Sequence, residues 1–362
     1  MNLGFLYYYA NLGGVTSVVK SRTPVLAKAG WNVHAFFAKD LGGVSDLRQA
    51  GVATVQIVPS IATNPTSVLA NCNLDLLTVV DMPEVIRPLR DHFSGPLVFE
   101  VHTPIEKVLQ KVVAADLDNV DRLLVPSLWS QRWVGERIYG TWDRGKVSVV
   151  PNIIDREIFR PAQTFVRPVR PLILWVGKIA AYKRWRDAVR ILGKVRQEVE
   201  CDVAFATGSE VDERGTQEFL TEMAACDVLG RCSWYHNLPT NEMANLYRDC
   251  GATGGLVLST SEAESFCLVA HEAMSCGVPV VAARAGALPE AYPGVLRQLL
   301  FDVGDVDHAA RIAVELLRDA SLWLQMRADG LREQESYDSE TLKKVYLTEL
   351  QKAMRRLRAP SV

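Results

Sequence analysis

The sequence contains no apolar run as long as a membrane-spanning helix, no C-x-x-C pair and no H-x-x-x-H pair. A spanning helix needs about 20 mostly apolar residues, so the first absence speaks against a helical membrane protein. The other two remove the common zinc spacings. The seven cysteines (72, 201, 226, 232, 250, 267 and 276) are odd in number and scattered. They suit small buried residues in a reducing cytoplasm better than a disulfide framework. Neither sign of charge is in excess: 40 Lys and Arg face 42 Asp and Glu, a net charge of −2. A nucleic-acid partner would call for a basic surplus, so none is expected. The opening "MNLGFLYYYANLGG" lacks the basic start and A-x-A site of a secretory signal and reads as a first strand. The basic run "KAMRRLRAPSV" reads as the solvated end of a last helix, with a peripheral membrane contact as the alternative. The expectation is a cytoplasmic monomer or homodimer.

What the chain does have is length and alternation. Its 362 residues suffice for two domains, and 48% hydrophobic with 23% charged residues is a globular composition. Short Val/Ile/Leu-rich runs at 2–9, 31–38, 54–59, 74–81, 96–103, 121–127 and 146–152 alternate with helical patterns. They are apolar on both faces, as parallel strands covered by helices must be. The segment 153–171, with Pro161, Pro168 and Pro171, breaks the rhythm and reads as an interdomain linker. A second series follows at 172–179, 202–208, 232–237, 255–260, 278–283 and 297–301, with closing helices at roughly 306–334 and 338–357. Two α/β doubly wound domains in tandem are the expected architecture. Ligands in such folds bind beyond the carboxyl ends of the strands, which here would face a central cleft.

Chemistry-bearing residues collect at those strand ends. Gly13 and Gly14 follow the first strand and would let backbone N–H groups approach an anion, although a plain tight turn needs the same residues. Lys178 and Lys183 follow the first strand of the second series, where two cations could neutralise a diphosphate or could simply be solvated. His102 ends the run "PLVFEVHT" and suits either a site or a satisfied core histidine. "ESFCLVAHE" carries Glu264 before a helix expected to start near Phe266 and stop at Gly277, with Glu272 inside it. On that reading Glu264 and Glu272 stand roughly 9–12 Å apart at about 1.5 Å per residue. That is too far for the roughly 5 Å acid-and-nucleophile pair of a retaining hydrolase, so they more plausibly grip separate parts of one ligand. The N–H groups of Phe266, Cys267 and Leu268 would open the helix toward it. The D-x-D pairs Asp116/Asp118 and Asp305/Asp307 lie in or at the start of helical patterns and read as decoys rather than metal ligands.

With these stretches in hand, the sequence resembles the retaining GT-B glycosyltransferases of glycosyltransferase family 4. The pieces occur in family order: "NLGGV", "VHTP", "LLVPSLWSQ", "SVVPNIIDREIF", "WVGKIAAYK", "SEAESFCLVAHEAMSCGVPVVAARAGALPE" and "LLFDVGDVDHAARI". The resemblance implies an acceptor-side domain at 1–160 and a nucleotide-sugar domain at 161–339, with the last helix, about 340–362, packing back on the first. It assigns Glu264 to the donor sugar hydroxyls, Glu272 to the ribose, Lys178 and Lys183 to the diphosphate, and His102 to a place beside the transferred sugar. The backbone around Ser265, Phe266, Cys267 and Leu268 would support the phosphates and sugar, with Gly13 and Gly14 covering the diphosphate. His102, Lys183 and Glu264 are the expected catalytic set.

Ser265-Phe266-Cys267 stands where relatives usually carry Gly-Phe-Gly, so side chains are expected to intrude near the sugar. Gly286-Ala287 replaces a usual Gly-Gly, and Asp81 stands where many relatives carry a histidine-containing stretch near the acceptor. The implied reaction is metal- and cofactor-independent transfer from a UDP-sugar, or another nucleotide sugar, to a hydroxyl of a small-molecule or glycan acceptor. A nucleotide-sugar 2-epimerase and a non-catalytic nucleotide-sugar-binding protein share the architecture. A glycan phosphorylase would need a pyridoxal phosphate lysine and a longer chain.

Overall fold

A computed structural model describes residues 1–70, 72–104, 117–138, 143–162, 170–208, 212–337 and 339–356. The chain divides into two compact units, Met1–Ile153 with Ser339–Val362, and Ile154–Asp338.

In the first unit, β1 (Asn2–Ala10), β2 (Asn32–Asp40), β3 (Thr54–Ile57), β4 (Leu76–Val80), β5 (Leu97–Glu100), β6 (Arg122–Val125) and β7 (Val147–Val149) form a sheet in the order β3-β2-β1-β4-β5-β6-β7. Every pairing is parallel. All residues of β4 and β5 are buried, the consequence of helices on both faces and the reason these runs do not alternate in polarity. Helices α1 (Gly14–Lys28), α2 (Val44–Gln49), α3 (Ile86–Arg90) and α4 (Leu128–Arg137) belong to this unit. Helix α4 starts where Ser127 Oγ accepts the Ser130 N–H, an ordinary N-cap.

The second unit runs β8 (Leu172–Gly177), α5 (Trp185–Glu198), β9 (Asp202–Thr207), α6 (Glu213–Ala225), β10 (Cys232–His236), α7 (Thr240–Ala252), β11 (Leu256–Ser259), α8 (Leu268–Ser275), β12 (Val280–Ala283), β13 (Leu300–Phe301), α9 (Val306–Arg318) and α10 (Ala320–Glu335). Its parallel sheet has the order β10-β9-β8-β11-β12-β13. Asp305 caps α9 by accepting the His308 N–H, so this half of one D-x-D pair has a backbone task. Asp116 of the other pair lies outside the described residues.

All thirteen expected strands are present among the described residues. The division falls at Ile153/Ile154, before the expected 160, because 154–160 packs with the second unit. Ile154 and Phe159 lie in its core, and Arg248 Nη1 donates to the Ile158 carbonyl at 2.9 Å.

The last helix, α11 (Ser339–Arg356), returns to the first unit. Tyr346, Leu350 and Ala353 join the core formed with β1, β2 and α1. On the same helix Glu349 accepts Arg122 Nε at 3.0 Å and Ser148 Oγ at 2.8 Å, tying the helix to β6 and β7. Leu350 is 1% exposed, so Leu350→Ala is expected to destabilise the first unit by about 2–5 kcal/mol. Equilibrium urea denaturation would show this as a lower midpoint.

Candidate active site

In the second unit, β8 and β11 are neighbours from which the chain winds in opposite directions. The crevice beyond their carboxyl ends is where a doubly wound sheet binds ligands. The β8 end supplies Gly177, half-buried Lys178 and a single turn, Ala181–Lys183, before α5. The β11 end supplies the loop 260–267. Three hydrogen bonds lock the two together. Trp175 Nε1 donates to Thr260 Oγ1 at 3.1 Å, Thr260 Oγ1 donates to the Lys183 carbonyl at 2.8 Å, and the Glu262 N–H donates to the Tyr182 carbonyl at 2.9 Å.

The clasp brings Lys183 Nζ to 2.6 Å from Glu264 Oε1, with both side chains largely buried. Burial alone would lower the Lys183 pKa, but the Glu264 carboxylate more than reverses this and holds it above the ordinary lysine range. Lys183 is therefore a permanent cation in this setting. The adjacent Arg184 and Arg186 are engaged within the unit, pairing with Asp187 and Glu218 at 2.6 Å each.

Glu264 is also held through its backbone, since its carbonyl accepts the Ala287 N–H at 2.8 Å. Gly286 has φ +56°, and a Cβ there would lie 2.1 Å from that carbonyl oxygen. Only glycine permits this approach. Ala287, in ordinary helical conformation, needs no such freedom.

Helix α8 begins at Leu268, two residues later than expected, because Cys267 adopts the left-handed conformation (φ 67°, ψ 70°) and cannot be helical. By helix geometry the open N–H groups then centre on Leu268 and Val269, since the Ala270 N–H already donates to the Cys267 carbonyl at 3.1 Å. Glu272 is the fifth helical residue, little more than one turn in, where Tyr247 Oη donates to its Oε2 at 3.3 Å. Burial and the Glu272 charge raise the Tyr247 pKa well above its ordinary value, so the phenol keeps its proton and remains the donor.

The residues of "SFC" differ in burial. Phe266 is buried, stacked on His271 at 4.2 Å with Tyr337 edge-on at 5.8 Å. Cys267 is buried with Sγ 4.0 Å from Ser259 Oγ, and burial pushes its thiol up to about 12. Ser265 is half-buried in the loop.

In the first unit, Gly13 precedes α1 and donates its N–H to Asn11 Oδ1 at 3.0 Å, while Gly14, exposed, is the first helical residue. His102 follows β5. Its N–H donates to Asp81 Oδ1 at 2.8 Å, and its Nε2 lies 2.7 Å from Glu100 Oε2. Asp81 is buried at φ 51° and also accepts Thr103 Oγ1 at 2.6 Å. Burial pushes its carboxyl above the usual range against these hydrogen bonds.

Lys183 and Glu264 thus meet directly, and Glu272 acquires Tyr247, a partner that sequence reasoning missed. Nothing in the helical pattern around 240–252 marks that tyrosine. Glu100 was missed too, although a carboxylate inside a strand apolar on both faces was a visible signal.

His271, which fastens Phe266 beneath the loop, is fully buried with Nδ1 3.0 Å from Gln334 Oε1. Burial lowers its pKa to about 4. The unfolded chain, near 6.5, binds the proton first, so stability from this group is complete above about pH 6.5 and lost as pH falls to about 4. The loss is on the order of 3 kcal/mol. In urea denaturation at pH 7 and 4.5, His271→Gln is expected to lose less stability across the interval than the wild type.

Residues 157–332 match the family model described as "Glycosyl transferases group 1". A D-inositol 3-phosphate glycosyltransferase of Mycobacterium marinum is 32% identical over 253 residues, covering 63% of this chain and 52% of that protein. The sulfoquinovosyl transferase SQD2 of Arabidopsis thaliana is 30% identical over 174 residues, covering 47% of this chain and 31% of its own. The chain spans about half the length of the curated D-inositol 3-phosphate glycosyltransferases it matches. Among solved structures, Anabaena Alr3699/HepE in complex with UDP and glucose aligns with a TM-score of 0.81 at 16% identity over 97% of this chain and 99% of that one. A sucrose-phosphate synthase from Thermosynechococcus elongatus aligns with a TM-score of 0.79 at 18% identity over all of both chains. At these identities the structures establish the fold, two Rossmann-like units of GT-B type. Residues 157–332 are thus similar to the group 1 glycosyl transferases, and the chain shares the fold of these solved structures.

Proposed function

We propose that the protein is a retaining, metal-independent glycosyltransferase that moves a sugar from a UDP-sugar to a hydroxyl of a small-molecule or glycan acceptor. The observation that carries this reading is the Lys183–Glu264 pair, clasped at the switch point of the second sheet beside the start of α8. An ammonium has three donors, so Lys183 can serve Glu264 with one and a diphosphate with the others. Glu264 uses only one carboxylate oxygen in the pair, which leaves the second for sugar hydroxyls. The N–H groups at the start of α8 and half-buried Lys178 add positive potential for the departing nucleotide diphosphate. This is electrostatic stabilisation present before reaction begins. Glu272, oriented by Tyr247, is suited to the paired hydroxyls of a ribose. In the first unit, Gly13, Gly14 and His102 keep the roles implied by the resemblance.

UDP as the nucleotide and glucose as a first sugar to test draw support from the UDP and UDP-glucose held by the Anabaena protein. A polyol or sugar-phosphate acceptor draws support from the names of the curated relatives. Retention by front-face attack, with the leaving phosphate assisting acceptor deprotonation, requires no separate enzymic base.

The test is UDP release from UDP-glucose across a panel of polyol, sugar and sugar-phosphate acceptors. Lys183→Ala and Glu272→Ala are each expected to lower turnover about 10²–10³-fold. Near-wild-type rates in both would overturn the assignment. Excess EDTA is expected to leave turnover within about twofold, since lysines and backbone N–H groups meet the diphosphate charge. Proton NMR of the product from an α-linked donor should show an α-glycoside, and a β-glycoside would refute retention.

A further inference from the structure

We propose that Glu100 and Arg22, backed by Tyr346 of α11, form a positioning relay that sets the tautomer and ring orientation of His102. The inference rests on the reading of His102 as a group of the active site.

Glu100 ends β5 and is completely buried, as is Arg22 on α1, at 0% and 1% side-chain exposure. Arg22 Nη1 donates to both Glu100 oxygens, at 2.7 and 2.6 Å. The guanidinium carbon sits 4.2 Å from the centre of the Tyr346 ring, a cation–π contact made by the far end of the chain. Glu100 Oε2 also lies 2.7 Å from His102 Nε2. The His102 backbone N–H donates to Asp81 Oδ1, and Thr103 Oγ1 donates to the other oxygen of Asp81. Among the described residues, Glu100, Arg22, Tyr346 and Asp81 are charged or titratable groups near this histidine, from β5, α1, α11 and the residue after β4.

A pair this deeply buried is poorly explained by stability. Taking two charges out of water costs more than their attraction returns unless every donor is satisfied, and apolar residues of similar volume often serve as well. Among the described residues, Arg22 Nε and Nη2 find no hydrogen-bond acceptor. What the arrangement does secure is a carboxylate that stays ionised in a dry place. Burial would push Glu100 up, but Arg22, with His102 assisting, holds it at about 2. An ionised carboxylate only accepts hydrogen bonds, so the ring proton must sit on Nε2. In the neutral ring Nδ1 then carries the lone pair, because the bond made by one ring nitrogen sets the state of the other. The same bond fixes the ring plane, and Tyr346 fixes Arg22 behind it. Helix α11 thereby becomes part of the site's supporting structure rather than only a cover for the sheet.

The test uses the full ¹⁵N-labelled chain and long-range ¹H–¹⁵N correlation of the histidine rings at alkaline pH, with the His102 signals identified by their loss in His102→Gln. The wild type is expected to carry the proton on Nε2. A proton on Nδ1 would overturn the relay whether or not any variant folds. Arg22→Met combined with Glu100→Leu removes both charges together, so that neither is stranded, and should shift His102 toward a mixture of tautomers. A folded double variant that keeps the wild-type His102 signals would also overturn the proposal. In UDP release from UDP-glucose, the double variant should show a kcat about 10–100-fold lower with the donor KM within about twofold, as for loss of an orienting partner. Absence of UDP-glucose turnover in the wild type would count against the functional reading alone, since the ring signals report the relay directly.

Discussion

Lys183 and Glu264 meet at 2.6 Å with both side chains largely buried, and the ends of β8 and β11 are locked together around that contact. The pair joins the ends of two strands, β8 and β11, which pair with each other in the sheet. Side-chain charges at strand ends would normally drift in solvent. Here Thr260 is bonded to both Trp175 and the Lys183 carbonyl, and the tight approach of Gly286 to the Glu264 backbone closes the loop from the other side. An isolated surface pair is worth little because its side chains must be ordered on forming it. This one is ordered beforehand by the backbone, so the ordering cost does not fall on an arriving anion.

The two units bury charge in different ways. In the second, the cation and carboxylate lie at the strand ends, where a ligand can share them. In the first, the Arg22–Glu100 pair is wholly inside, and only His102 carries its influence toward the strand ends. A buried polar cluster of this kind is expensive unless satisfied, and it joins elements distant in sequence: α1, β5 and α11.

The departures in "SFC" show how a backbone constraint can be separated from a side-chain one. This chain makes a left-handed turn with Cys267 and absorbs the thiol into the core beside Ser259. Non-glycine residues in this conformation carry a cost on the order of 1–2 kcal/mol. The surrounding core, with Phe266 between His271 and Tyr337, determines the turn strongly enough to bear it.

The strands, the α/β winding and the residues gathered at the strand ends were legible in the sequence because period and position are local properties. A short run apolar on both faces, bounded by turns and alternating with helical patterns, fits a covered strand, and a parallel sheet fed by alternating helices has its ligand end decided by connectivity. Start and stop points were less legible. Helix α8 opens at Leu268 rather than Phe266 because of one left-handed residue, and 154–160 joins the second unit because Phe159 finds a core there. Partnerships were not legible at all. Glu264 chooses Lys183 from 81 residues away and Arg22 reaches Glu100 across 78, while Tyr247 turns to Glu272 and Tyr346 to Arg22. Sequence alone determined which chemical groups stand at the ends of which strands, whereas tertiary structure decided which of them touch. The burial that sets their charges and protons depends on surfaces brought together only when the chain folds.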